Sequence, residues 1–233
     1  MSKYSTVGLW PSEREMIQRF WHPGGRILDL GCGAGRTTVP LRQAGYQVVG
    51  VDIAQPMVSQ AKLFAENMDL DFPMAVGDAT DLPLDTNCLD GILFSYNGIE
   101  LIPKQSGKIS ALREAYRVLK PGGTLIFTTH AFEAFNKYAP ARLQRYGIHV
   151  FNRMLGRAKE DAELGEVIVD PKRTVEVYYM QINSPRRYRK LLTQLGFSLV
   201  YYNSRKRIES GKSPTRLADF DGDFKFYVAQ KET

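Results

Sequence analysis

The stretch Arg26-Ile27-Leu28-Asp29-Leu30-Gly31-Cys32-Gly33-Ala34-Gly35-Arg36 constrains this chain more than any other. Ile27, Leu28 and Leu30 form a short apolar run, as expected of a strand covered on both faces. Alternating glycines follow at positions 31, 33 and 35. Glycine adopts positive φ without strain and has no Cβ, so a ligand can come close to the backbone there. A helix beyond the turn offers unpaired N–H groups and a positive dipole end. Strand, turn and helix in this order form a nucleotide-type cofactor site at the carboxyl end of a parallel sheet.

The rest of the chain repeats that alternation. Residues 11–21 read as a helix with proline in its first turn and Met16, Ile17, Phe20 and Trp21 on one face. A short helix from Thr37 to Ala44 is closed by Gly45. The second strand is Gln47 to Asp52, and the next helix runs from Gln55 to Asn67. The third strand spans 72–78 and the fourth 90–95. A helix over 106–119 ends at Pro121-Gly122-Gly123, and the fifth strand is 124–129. This rhythm predicts a doubly wound parallel sheet.

Residues 131–172 break the rhythm. They read as an insertion, with a helix over 140–156 and a solvated acidic patch at 160–163. Residues 173–182 alternate like a strand. Ser184-Pro185 starts a helix with Tyr188, Leu191, Leu192 and Leu195 on its face. Strands follow at 197–202 and 224–229, joined through a basic loop over 205–214.

The 233 residues suit one large α/β domain over 1–233, with a helical arm at 1–22 and the 131–172 insertion as a lid. No apolar stretch is long enough to span a bilayer, and the N-terminus lacks a signal-peptide core. Two cysteines, Cys32 and Cys88, make neither a disulfide framework nor a metal cluster. A cytoplasmic chain with no metal and no membrane partner is expected. The net charge of +6 is uneven: residues 131–233 hold 19 Lys+Arg against 12 Asp+Glu. That excess suits a basic solvated surface, an anionic substrate, RNA or an acidic partner.

The acids choose among cofactors. Asp52, closing the second strand, can accept from both hydroxyls of a ribose. A dinucleotide fingerprint needs a third glycine where this chain has Arg36. Asp78 closes the third strand, where a carboxylate can accept from an exocyclic amine. Asp29 lies inside the first strand, where a buried acid needs a partner such as an ammonium.

Four segments carry a resemblance. Ile27–Gly35 resembles motif I of class I S-adenosylmethionine-dependent methyltransferases. Val49-Gly50-Val51-Asp52-Ile53 with Met57 resembles the segment after it. Gly77-Asp78-Ala79-Thr80-Asp81-Leu82-Pro83-Leu84 resembles the adenine-binding motif, and Leu119-Lys120-Pro121-Gly122-Gly123-Thr124-Leu125 the turn into the fifth strand. The resemblance covers residues 26–130, and more weakly 184–203. It implies an α/β Rossmann-like sheet of seven strands, mostly parallel, with an antiparallel last strand and a helical insertion after the fifth. It implies S-adenosyl-L-methionine as cofactor and S-adenosyl-L-homocysteine as product.

The resemblance also implies roles. Asp29 would meet the methionine ammonium, directly or through water. Gly31, Cys32 and Gly33 would let backbone pass the methionine part. Asp52 would hold the ribose diol, and Ile53 and Met57 would pack on adenine. Asp78 would take adenine N6, with the Ala79 N–H on a ring nitrogen. Ser95 and Tyr96 would lie near the sulfonium. Ala54 stands where such proteins often carry a capping serine, which predicts a slightly weaker helix start.

Transfer from a sulfonium draws mainly on proximity and exclusion of water. A general base helps where the acceptor carries a proton. His130, ending the fifth strand, is the candidate base, against a plain strand-end role. His149 lies in the insertion and His22 before the sheet. Ser95-Tyr96-Asn97-Gly98 is unlike the Asn/Asp-Pro-Pro-aromatic motif of base-amino methylation. Phe132, Phe135, Tyr138, Tyr146 and Phe151 interleave with Arg142, Arg145, Arg153 and Arg157. Such a pattern suits RNA, or a lid with its apolar face down on a small substrate and its basic face in water. The favoured reading is methyl transfer to a small-molecule acceptor. The alternatives are an RNA methyltransferase using the basic half, a non-catalytic S-adenosylmethionine-binding protein and an NAD oxidoreductase. Tyr4 and Trp10 are candidates to fold over the cofactor.

Overall fold

A computed structural model gives the structure and describes residues 8–157, 165–169 and 178–232. In chain order the elements are α1 (Pro11–Phe20), β1 (Arg26–Leu30), α2 (Thr38–Gln43), β2 (Gln47–Asp52), α3 (Gln55–Glu66), β3 (Met74–Val76), β4 (Leu89–Phe94), α4 (Gly98–Leu101), α5 (Lys104–Val118) and β5 (Leu119–Thr129). Then come α6 (Ala139–Met154), β6 (Glu166–Val169), β7 (Tyr178–Gln181), α7 (Pro185–Gln194), β8 (Phe197–Ser204), α8 (Arg205–Glu209), a 3₁₀ turn (Arg216–Phe220) and β9 (Lys225–Lys231).

Seven strands make one sheet in the order β3-β2-β1-β4-β5-β9-β8. β9 runs antiparallel to both β5 and β8; the other pairings are parallel. The Rossmann-like sheet with its antiparallel last strand is therefore present as the sequence predicts. The order reverses between β1 and β4, and such a switch point opens a crevice at the carboxyl ends of the strands.

Side chains of one strand alternate between two cores, as a period of two requires. Leu28, Ile92, Leu125 and Phe127 join a cluster with Leu112 of α5 and Leu192 of α7. Ile27, Leu93, Ile126 and Val228 join Met16 and Ile17 of α1 and Ile208 of α8 on the other face. Trp21 closes this second face. Its Nε1–H donates to Thr124 Oγ1 at 2.8 Å. A Cβ on Gly91 would lie 2.5 Å from the Trp21 indole, so only glycine fits the strand there.

Four sequence expectations are corrected. β3 keeps three paired residues rather than seven, because it is an edge strand bonded only to β2. β5 begins five residues early at Leu119: Leu89 pairs with Leu119 and Gly91 with Thr124, so Pro121-Gly122-Gly123 bulges within the strand. Gly122 has φ +79° there, which a larger side chain resists. The insertion carries its expected helix, α6, but also holds a strand, β6, which pairs antiparallel with β7 beyond it as a separate two-stranded sheet. The basic loop over 205–214 opens with α8, capped by Ser204 Oγ accepting from the Arg207 N–H. Tyr4, the acidic patch and residues 173–177 lie outside the described residues.

Candidate functional site

A cavity of about 720 Å³ opens where the sheet order reverses. That volume lies within the range of roughly 300–1,000 Å³ typical of small-molecule sites. Its walls come from the ends of β1, β2 and β4, the turn after β3, and α4 with the start of α5. Asp29, Gly31, Cys32, Gly33, Asp52, Ile53, Met57, Asp78, Ala79, Ser95 and Tyr96 all line it. These are the residues singled out from sequence, with one exception, His130.

The glycine turn is fastened to β2. The N–H groups of Gly31 and Cys32 both donate to the Val51 carbonyl, at 2.7 and 3.1 Å. The Gly33 N–H donates to Asp52 Oδ2 at 2.8 Å, and the Ala54 N–H to Oδ1 at 2.9 Å. Asp52 therefore steadies the start of α3 where Ala54 supplies no side-chain cap. Gly31 and Gly33 hold φ of +68° and +53°. A Cβ on Gly33 would meet no atom within 4 Å, so glycine serves its backbone conformation and leaves the space above it open.

Asp29 is fully buried, and the hydroxyls of Thr37 and Thr38 both donate to its Oδ2, at 2.7 and 2.6 Å. Burial pushes its pKa up to about 6, against the pull of these hydroxyls and of Arg36. A cation placed beside it would reverse that shift. Cys32 is buried in the turn, and burial beside Asp29 and Asp52 raises its thiol pKa. It is held as a neutral thiol.

Asp78 lies just past β3, its Oδ1 accepting from the Thr80 N–H at 2.8 Å. Ile53 is 71% exposed and Met57 37%, both on the cavity wall. Apolar side chains left open in a cleft are ready to cover a flat ligand. Tyr96 and Asn97 carry successive left-handed φ values, +52° and +54°. Each costs on the order of 1–2 kcal/mol outside glycine, strain that collects at binding sites. The Asn97 N–H donates to Thr128 Oγ1 at 3.1 Å and helps hold the bend.

The sequence reading missed the network behind Ser95. Arg36 makes a bidentate pair with fully buried Glu13, Nη1 to Oε2 at 2.9 Å and Nη2 to Oε1 at 2.7 Å. Its Nη2 also donates to Ser95 Oγ at 3.2 Å, and Ser95 Oγ in turn donates to Glu13 Oε1. Glu13 Oε2 accepts from the Trp10 N–H at 2.7 Å, closing the start of α1. Arg36 thus locks the glycine turn to α1 and to the end of β4. The one sequence signal was Arg36 itself, an arginine where an apolar or glycine residue suffices.

Aromatic rings pack behind Tyr96, outside the cavity wall. Trp10 lies 5.4 Å and Phe224 5.6 Å from the Tyr96 ring, and His130 lies 4.7 Å from Phe224. His130 is thus two ring contacts from the cavity and does not line it. Its Nδ1 lies 2.6 Å from Oε2 of fully buried Glu100. Glu100 sits on α4 between Gly98 and Leu101, two cavity residues, and its Oε1 has no hydrogen-bond partner. The sequence reading placed no role on Glu100. Residues 131–157 contribute nothing to the cavity wall among the described residues. There is no group of three or more potential metal ligands among them either.

Residues 27–123 match the family profile described as a methyltransferase domain. A carboxy-S-adenosyl-L-methionine synthase of Hydrogenovibrio crunogenus is 32% identical over 119 residues, 49% of this chain and 46% of that one. A demethylmenaquinone methyltransferase of Staphylococcus epidermidis is 30% identical over 149 residues, 60% of this chain and 58% of that one. The chain thus spans about half the length of the curated relatives it matches. Among solved structures, a SAM-dependent methyltransferase of Methanosarcina mazei superposes with a TM-score of 0.72 at 21% identity, over 97% of this chain and 99% of that one. Profile, sheet order and glycine turn agree: residues 27–123 match a methyltransferase-domain profile, and the chain shares the fold of SAM-dependent methyltransferases.

Proposed function

We propose that this chain transfers the methyl group of S-adenosyl-L-methionine to a small-molecule acceptor. The observation that carries the reading is the gathering of Asp29, Gly33, Asp52, Asp78 and Tyr96 around one cavity. The cavity fits the cofactor chemically. Both hydroxyl bonds to Asp29 fall on Oδ2, which leaves Oδ1 for the ammonium. Asp52 presents the remaining lone pairs of its carboxylate to the ribose hydroxyls. Ile53 and Met57 would cover adenine, Asp78 would accept from its exocyclic amine, and the Ala79 N–H would meet a ring nitrogen. Gly31, Cys32 and Gly33 give the methionine part its close backbone passage. When bound, the cofactor supplies an activated methyl group on a sulfonium.

The chain's own residues then position and deprotonate. Ser95 and Tyr96 border the transfer region, and the Glu13–Arg36 pair keeps that border fixed. With Glu100 accepting from its Nδ1–H, His130 keeps Nε2 as proton acceptor for a substrate long enough to reach from the cavity past Tyr96 and Phe224. A base of this kind serves an acceptor that must lose a proton. Relatives named for a menaquinone precursor and for carboxy-S-adenosyl-L-methionine support a small acceptor.

The test is release of S-adenosyl-L-homocysteine from S-adenosyl-L-methionine in the presence of small phenols, quinols and amines, with bulk tRNA as the competing acceptor. Turnover on a small acceptor supports the reading, and turnover on tRNA alone overturns it. His130→Ala should keep cofactor affinity and lower turnover by about 10²-fold, the usual contribution of a general base. Unchanged turnover removes His130 from the reaction.

A further inference from the structure

Helix α6 is turned opposite to the lid expected from sequence. At about 100° per residue, Leu143, Val150, Phe151 and Met154 share one arc of the helix, and Arg142, Arg145, His149 and Arg153 the opposite one. The polar arc is the docked one. Arg142 is buried and donates to the carbonyls of Phe132 and Ala134 and to Asn136 Oδ1. His149 and Asn152 are half-buried. The apolar arc points away from the domain: Met154 is 81% exposed, Leu143 64% and Phe151 61%. The loop leading into α6 adds Phe135, 75% exposed and stacked on Phe220.

An exposed apolar arc of this size marks an interaction surface. Charge selects the occupant. α6 carries three arginines and no acid, and residues 131–157 hold five Lys+Arg against one acid, Glu133. Arg145 and Arg153 are exposed and border the apolar arc on its two sides. A second copy of the chain would bring arginine against arginine. An anionic lipid surface accepts both features: apolar side chains enter the acyl boundary while arginines reach headgroup phosphates.

We propose that α6 docks this chain on an anionic lipid bilayer surface, lying in its plane. This revises the expectation of no membrane partner and needs no spanning segment. No helix among the described residues is long and apolar enough to cross a membrane.

Flotation of the full chain with lipid vesicles tests the proposal. The chain should float with phosphatidylcholine vesicles containing phosphatidylglycerol and stay behind with phosphatidylcholine alone. Raised salt should weaken the binding. The double variant Leu143→Asp/Met154→Asp and the double variant Arg145→Glu/Arg153→Glu should each lower vesicle affinity about tenfold or more. Calorimetry with S-adenosyl-L-homocysteine should give wild-type affinity for both variants, showing that they are folded and that the cofactor site is separate. The proposal is overturned if phosphatidylglycerol vesicles do not carry the chain, or if Leu143→Asp/Met154→Asp floats like wild type. It is also overturned if light scattering shows a dimer that the same substitutions dissolve, which assigns the face to a second copy.

Discussion

The cofactor edge and α6 invert each other's chemistry. Around the glycine turn, charged groups are buried and matched: Glu13 with Arg36, Asp29 with Thr37 and Thr38. Along α6, apolar groups are exposed and its one buried arginine is satisfied by backbone carbonyls. The first region holds its shape through internal partners and presents a finished cavity. The second keeps its apolar surface for something outside the chain. A buried charge and an exposed apolar face are both costly, and each points to the contact that offsets the cost.

The largest effect should come from breaking the internal pairing. Arg36→Leu leaves Glu13 buried and uncompensated, and should destabilise the fold by about 3–5 kcal/mol, read as a fall in the denaturant midpoint at constant slope. A loss under about 1 kcal/mol on that scale would show that the pair does not hold the turn to α1.

Asp52→Ala removes the carboxylate that accepts from the Gly33 and Ala54 backbone N–H groups, and with it the proposed ribose contact. Cofactor affinity should fall by about 10²-fold, or near 3 kcal/mol by calorimetry. Wild-type affinity in this variant places the ribose elsewhere.

Asp29 sharpens the comparison through pH. Its folded pKa, about 6, lies above the ordinary carboxylate value of 3.8, so the neutral form is favoured by folding. Its contribution to stability is full below pH 3.8 and is lost as pH rises through about 6. At pH 8 the ionised group is a liability in the cofactor-free protein. Asp29→Asn should therefore raise stability there by about 1–3 kcal/mol while weakening cofactor binding. Binding near pH 6 should release a proton, seen as a buffer-dependent heat. A destabilised Asp29→Asn protein would contradict the assigned burial cost.

Met154→Gln on the exposed arc of α6 should shift stability by no more than about 0.5 kcal/mol. A larger loss would mean that α6 packs on its own chain through the apolar arc.

The same contrast explains what the sequence revealed. The glycine turn, Asp52 and Asp78 were legible because each is fixed by local backbone geometry: a positive φ, a strand end, a following helix. Strand alternation gave the sheet for the same reason. Glu13 and Glu100 were not legible, because their partners Arg36 and His130 lie 23 and 30 residues away and only the folded sheet joins them. β6 was missed because a four-residue strand carries little periodicity, whereas β7 lies within the stretch 173–182 that alternates like a strand. The orientation of α6 was missed for another reason. An amphipathic pattern says that a helix has two faces, but burial of the polar one, anchored by Arg142 on loop carbonyls, is a tertiary choice.

The cavity at the β1–β4 switch should take S-adenosyl-L-methionine. Isothermal calorimetry of the full chain with S-adenosyl-L-methionine, S-adenosyl-L-homocysteine and NAD tests it most directly. The first two should bind saturably, both weakened by Asp52→Ala, and NAD should not bind. Binding of NAD with no binding of S-adenosyl-L-methionine would contradict it.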